Sequence, residues 1–162
     1  VGIGLITLTA ARRAGAENVF AYEANPALER LIRRNFALNG LAPQLTMKAV
    51  TADGRALTFY QDRKVLSSSI FDRDLEGGEV TVESEPINAL IARHRPNVLV
   101  MDVEGAEAEI LPAADLDGVE RIIVEMHPHV IGEETVAGLI ADLEGRGFSV
   151  KDRQSITWYL ER

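Results

Sequence analysis

Apolar residues along this chain fall into two alternating rhythms. Compact runs occupy residues 19–22, 45–50, 98–101, 121–125, 148–151 and 156–160, and their length and content of Val, Ile, Leu and aromatic residues predict strands. Between several of them, apolar positions recur with a helical period over 5–14, 26–39, 106–114 and 133–146. The segment 26–39 has Pro26 at its start and Gly40 just past its end, the usual asymmetry of a helix. Its Leu28, Leu31, Ile32, Asn35, Phe36 and Leu38 follow the period of an α-helix, with arginines on the wet face. Strands that alternate with helices and are almost purely apolar imply a mainly parallel sheet covered on both sides. The expected fold is therefore α/β, Rossmann-like and doubly wound. Residues 55–85 break the alternation: extended segments at 57–60, 68–71 and 79–82 around Gly77-Gly78 predict a β-hairpin insertion. The last two strands, separated by 152–155, are close enough to pair antiparallel through a tight turn.

Composition narrows the partners. At 162 residues the chain fits one domain over 1–162, with no repeats and no low-complexity tract. Apolar residues make up 46% and charged residues 26%, the mix of an ordinary globular protein. There is no cysteine, which excludes disulfides and thiolate metal sites and fits a cytoplasmic location. The formal net charge is −8, and Arg12, Arg13, Arg30, Arg33 and Arg34 lie on helical patterns mixed with acids. Nucleic acid is not expected as a partner. No apolar stretch approaches the roughly 20 residues that span a bilayer, and the first residues lack a charged leader with a cleavage site. The chain opens at Val1, without methionine, inside a glycine-rich turn. A first strand is expected upstream of residue 1. Oligomeric state is not readable.

Three constellations can carry chemistry. The first is Val1-Gly2-Ile3-Gly4-Leu5-Ile6-Thr7, leading into a helix, with Glu23 at the end of the next strand. Glycines at such a turn let backbone approach a ligand, and an acid about 20 positions later can accept both hydroxyls of a bound ribose. A dinucleotide fingerprint calls for glycine where Thr7 stands. S-adenosylmethionine has a ribose but no pyrophosphate, which tilts the choice toward it. A plain turn and a helix-preceding acid are the alternatives. The second is Met101-Asp102-Val103-Glu104-Gly105-Ala106-Glu107 after a central strand, where α/β sheets place their ligands. The bland reading is helix capping by Asp102 or Glu104, and both can hold at once. Glu107 and Glu109 fall inside the helix and are read as structural. The third is Glu125-Met126-His127-Pro128-His129 after the next strand. A histidine beside a carboxylate can take a hydroxyl proton near neutral pH. Two histidines two apart also suit a metal, without an obvious third partner. A polar loop is the bland reading.

The string Leu99-Val100-Met101-Asp102-Val103-Glu104-Gly105-Ala106-Glu107 closely resembles the K-x-D-V-E-G-A-E signature of FkbM-type methyltransferases. The likeness extends to Phe20-Ala21-Tyr22-Glu23-Ala24-Asn25-Pro26, to Asn35, Asn39 and Gly40, to Ser67-Ser68-Ser69 and to Glu125-Met126-His127, nearly the whole chain. Val100 stands where many members carry lysine, and the family's first strand and first donor-loop glycine would precede Val1.

The resemblance implies an S-adenosylmethionine-dependent enzyme that methylates a hydroxyl oxygen of a small molecule, sugar or lipid. By that resemblance Gly2 and Gly4 face the methionine part of the donor and Glu23 the ribose. Val50 to Asp53 lie near the adenine, and Asp102, Glu104, Glu125 and His127 line the opening where donor and acceptor meet, Asp102 touching both. Methyl transfer is an in-line displacement, so alignment matters most. His127, Asp102, Glu104 or Glu125 can remove the hydroxyl proton, and the acidic lining suits the donor's positive charge. A Mg²⁺ bridging Asp102 or Glu104 to the acceptor fits hard oxygens but is not required, and no metal ligand is assigned. Two rival readings stand: a non-catalytic methyltransferase-like binding domain, and a nicotinamide-dependent oxidoreductase, disfavoured by Thr7.

Overall fold

A computed structural model of the chain describes residues 1–61, 68–69 and 79–162. The fold is mixed α/β and forms two compact units, one of residues 1–50 and 54–85, the other of residues 51–53 and 86–162.

In the first unit, helix α1 (Leu5–Ala14) leads to strand β1 (Phe20–Tyr22), helix α2 (Glu29–Leu38) and strand β2 (Gln44–Thr46). Strands β1 and β2 pair in parallel, with Ala21 opposite Leu45, so α2 is the crossover of a βαβ unit. Pro26 opens a 3₁₀ turn (Pro26–Leu28) ahead of α2, and the Asn25 side chain accepts from Ala27 N at 3.0 Å to cap it. Leu28, Ile32 and Phe36, spaced four apart, are buried with Leu8 of α1. Burying each stabilises by roughly 1.5–3 kcal/mol. The apolar face is narrower than the periodicity predicts, because Leu31 and Leu38 are 38% and 73% exposed.

The run 45–50 is two strands, β2 and β3 (Ala49–Thr51), because its halves pair with different partners: β2 with β1, and β3 with β7 (Ser84–Pro86). The expected insertion is antiparallel. Strand β4 (Leu57–Gln61) pairs with β6 (Glu79–Val82), Leu57 facing Val82, and also with β5 (Ser68–Ser69). The remainder of segment 68–71, Ser67 and the Gly77-Gly78 turn lie outside the described residues.

In the second unit, helix α3 (Ile87–His94) precedes β8 (Val98–Met101), α4 (Glu107–Ala113), β9 (Arg121–Glu125), a single turn α5 (Pro128–Ile131), α6 (Glu133–Gly145), β10 (Ser149–Gln154) and β11 (Thr157–Glu161). Helix α3 is absent from the sequence expectation. It is short, yet Ile87, Leu90 and Ile91 are buried at helical spacing. The sheet order is β10-β11-β9-β8, with β8 and β9 parallel and β9–β11 and β11–β10 antiparallel. The antiparallel final pair is as expected, with Ser155 (φ 56°) in its turn. Ile110, Leu111, Ile122, Val124, Met126, Leu143 and Leu160 are the fully buried centre. Arg146, after α6, donates to the carbonyls of Leu111 (3.0 Å) and Ala114, closing the C-terminus of α4.

Among the described residues β1 pairs with β2 and β8 with β9 in parallel, as a mainly parallel sheet requires, and the described strands form four small sheets. Apolar runs mark strands without naming their partners. One expectation needs correction. Strand β8 is not covered on both faces: Val98 and Val100, with Ile123 of β9, are 38%, 45% and 37% exposed.

Candidate active site

The glycine turn in the first unit is built by packing as much as by conformation. Gly4 (φ 87°) ends the turn and precedes α1, whose first turn has no side-chain cap and no acid. A Cβ on Gly4 would stand 2.8 Å from Phe36 Cε1, whereas one on Gly2 (φ 55°) would meet nothing within 4 Å. Helix packing therefore accounts for Gly4. Gly2 is left with its backbone conformation and open space above it. Asn35 steadies the turn by donating to the Ile3 carbonyl at 2.9 Å.

Glu23 leaves β1 directly beneath this turn. Its Oε2 accepts from Gly2 N at 3.1 Å and its Oε1 from Asn25 N at 2.8 Å. The side chain is only 10% exposed. The structure thus joins Gly2 and Glu23, two of the residues expected to bind a donor. Val50 is half-buried on β3, and Asp53, in the other unit, is exposed.

In the second unit, the parallel register of β8 and β9 sets Met101 opposite Val124, so the residues that follow the two strands emerge side by side. Asp102 and Glu104 leave β8; Glu125 ends β9, and His127 follows it. Glu104 (φ 53°) and Gly105 (φ 108°) are consecutive left-handed residues that turn the chain sharply into α4. His127 is buried, 2% exposed. Its Nε2 lies 3.7 Å from Asp102 Oδ1, 3.7 Å from Glu104 Oε2 and 3.9 Å from Glu125 Oε1, beyond hydrogen-bond length. All four residues named from the sequence are brought together. Burial, followed by repulsion from Asp102, raises the Glu125 carboxyl above its ordinary range, and His127 opposes this in part.

The residue that sequence reading misplaced is Glu107. Far from an ordinary helix acid, it is fully buried. Its Oε1 accepts from His127 N at 2.7 Å and lies 3.1 Å from His127 Nδ1, while its Oε2 accepts from Gly105 N at 2.8 Å. A signal was present: Glu107 lies three and four residues before Ile110 and Leu111, on the buried face of α4. Its neighbour Glu109 accepts from Ala52 N at 3.3 Å. His129 is exposed and meets the His127 ring edge-on at 5.7 Å.

Chemically, the cluster presents an imidazole nitrogen to a partly open, acid-lined space, the arrangement of a general base. Ligand atoms of Asp102, Glu125 and His127 also lie within 4.8 Å of one another, close enough to hold a divalent cation. A hollow of about 500 Å³ at the β10–β11 hairpin, lined by Ile123, Asp152 and Tyr159 among others, includes none of these groups.

The description "methyltransferase FkbM domain" matches residues 3–150. No curated protein and no solved structure matches the chain. The matched stretch takes in Gly4, Glu23, the clamp at Glu107 and the cluster at His127, almost the full length. The chain belongs to the FkbM methyltransferase family.

Proposed function

We propose that the protein is an S-adenosylmethionine-dependent O-methyltransferase of doubly wound, Rossmann-like type, acting on a hydroxyl group of a small molecule, sugar or lipid. One observation carries the reading: in a methyltransferase family member, a buried histidine presents Nε2 to three carboxylates at 3.7–3.9 Å. The residues of the first unit fit the donor. Gly2 is open above its backbone, the amides opening α1 have no side-chain cap, and Glu23 accepts from two main-chain N–H groups at that turn. When bound, the donor supplies an electrophilic methyl group on a sulfonium.

The protein's own part is alignment and proton transfer. Glu23 accepts the ribose hydroxyls, and the glycine turn lets backbone approach the methionine end. His127 Nε2 takes the hydroxyl proton of the acceptor as its oxygen attacks. Asp102, Glu104 and Glu125 orient the acceptor and favour the cationic imidazole that results.

Calorimetric titration of the protein with S-adenosylhomocysteine, followed by a labelled-methyl assay over a panel of hydroxyl compounds, tests this. Micromolar binding that is lost in Glu23→Ala, with turnover on at least one hydroxyl compound, is the expected result. A folded protein that does not bind would sink the reading. Binding without turnover on any hydroxyl compound would point to a non-catalytic domain.

A further inference from the structure

A fully buried carboxylate is costly unless its lone pairs meet donors. Glu107 accepts from Gly105 N and His127 N, and its Oε1 also lies 3.1 Å from His127 Nδ1. The first two are main-chain N–H groups, which can only donate. Each carboxylate oxygen therefore already serves as an acceptor, and Oε1, which accepts from His127 N at 2.7 Å, is also the atom 3.1 Å from Nδ1. That pairing is satisfied when the ring hydrogen sits on Nδ1. The hydrogen bond made by one ring nitrogen decides the state of the other.

Resting on the reading of His127 as the base, we propose that Glu107 is its positioning residue. It holds the imidazole in the Nδ1–H form and so leaves Nε2 bare toward Asp102, Glu104 and Glu125. The same carboxylate ties Gly105, at the turn out of β8, to the backbone of His127, after β9. One side chain thereby fixes where the ring stands, which way it faces and which nitrogen can accept a proton. A solely structural Glu107 would fix only the first of these.

The test reads the ring nitrogens directly. Long-range ¹H–¹⁵N correlation on wild-type protein, at a pH where the ring is neutral and with the signal assigned by its loss in His127→Gln, is expected to show a protonated Nδ1 and a bare Nε2. Glu107→Leu, which leaves Nδ1 without an acceptor and is checked by circular dichroism, is expected to lose that preference and to lower kcat by about 10²-fold or more, with KM and S-adenosylhomocysteine affinity within about twofold of wild type. A wild-type ring protonated at Nε2 overturns the proposal even if the variant fails to fold. So does a folded Glu107→Leu with unchanged tautomer and kcat. The wild-type spectrum needs neither donor nor acceptor, so a protein that never methylates would fail the functional reading while this result still stood or fell alone.

Discussion

Glu23 and Glu107 use one device for two ends. Each is a carboxylate near a strand exit, and each accepts a main-chain N–H two residues away, from Asn25 in one case and Gly105 in the other. Each also accepts a distant main-chain N–H, from Gly2 and His127 respectively. They differ in what remains. Glu23 stays 10% exposed at an open glycine turn, while Glu107 is sealed and its remaining capacity goes to the His127 ring. On the proposed reading the first is a carboxylate prepared for a ligand, and the second is consumed in preparing another side chain. A loop acid held by its own backbone is thus no sign of function until its last acceptor is traced.

The sharpest way to break this comparison is to remove the group each region serves. His127→Ala should lower kcat by about 10²–10⁴-fold and leave S-adenosylhomocysteine affinity unchanged. Glu23→Ala should do the reverse, weakening donor affinity by roughly tenfold or more, as expected for hydrogen bonds to a charged group. Parallel loss of affinity and kcat in both variants would erase the division of labour. The two glycines sharpen the first region. Gly4→Ala must place a Cβ against Phe36 from a left-handed backbone and should cost about 2–3 kcal/mol, read by denaturant melts. Gly2→Ala meets no atom and should cost only about 1 kcal/mol. Equal costs would mean that packing does not distinguish them.

Smaller effects probe the second region. The folded protein holds the Glu125 proton more tightly than the unfolded chain does, because burial and Asp102 raise its pKa. Its contribution to stability is therefore complete below the ordinary carboxylate range and is lost as pH rises through the raised value. Glu125→Gln should raise Tm above that window and leave it unchanged below. The gain should stay under about 0.5 kcal/mol, since the side chain is 38% exposed and screened by solvent. A variant that melts lower at neutral pH would contradict the sign. Finally, exhaustive chelation should leave turnover unaltered; activity lost to chelator and restored by Mg²⁺ would hand Asp102, Glu125 and His127 to a cation instead.

Much of this was legible in the amino-acid order, for identifiable reasons. Helix 5–14 and strands 98–101 and 121–125 were expected with the bounds they have, because their apolar periods are clean and their ends are marked by glycine or acids. Asp102, Glu104, Glu125 and His127 were singled out because all four lie at or just past the carboxyl ends of strands. The partners of strands were not legible, as the division of 45–50 between β2 and β3 shows. Nor was the clamp on His127: Glu107 lies 20 residues away in sequence, and only the register of β8 against β9 makes them neighbours. A helical acid reads as solvated by default, and the apolar face it shares with Ile110 and Leu111 was the one hint against that.

Among the described residues, three that are not glycine have left-handed backbone. Arg95 ends a helix and Ser155 turns a hairpin; Glu104 does neither. For an L-residue that conformation costs roughly 1–2 kcal/mol, and glycine escapes most of it. The simplest route to a more heat-resistant enzyme therefore runs through position 104, and it would delete one of the three acids facing Nε2. On the proposed reading robustness and activity compete at that single residue, and a screen that selects on melting temperature alone would discover the wrong variant first.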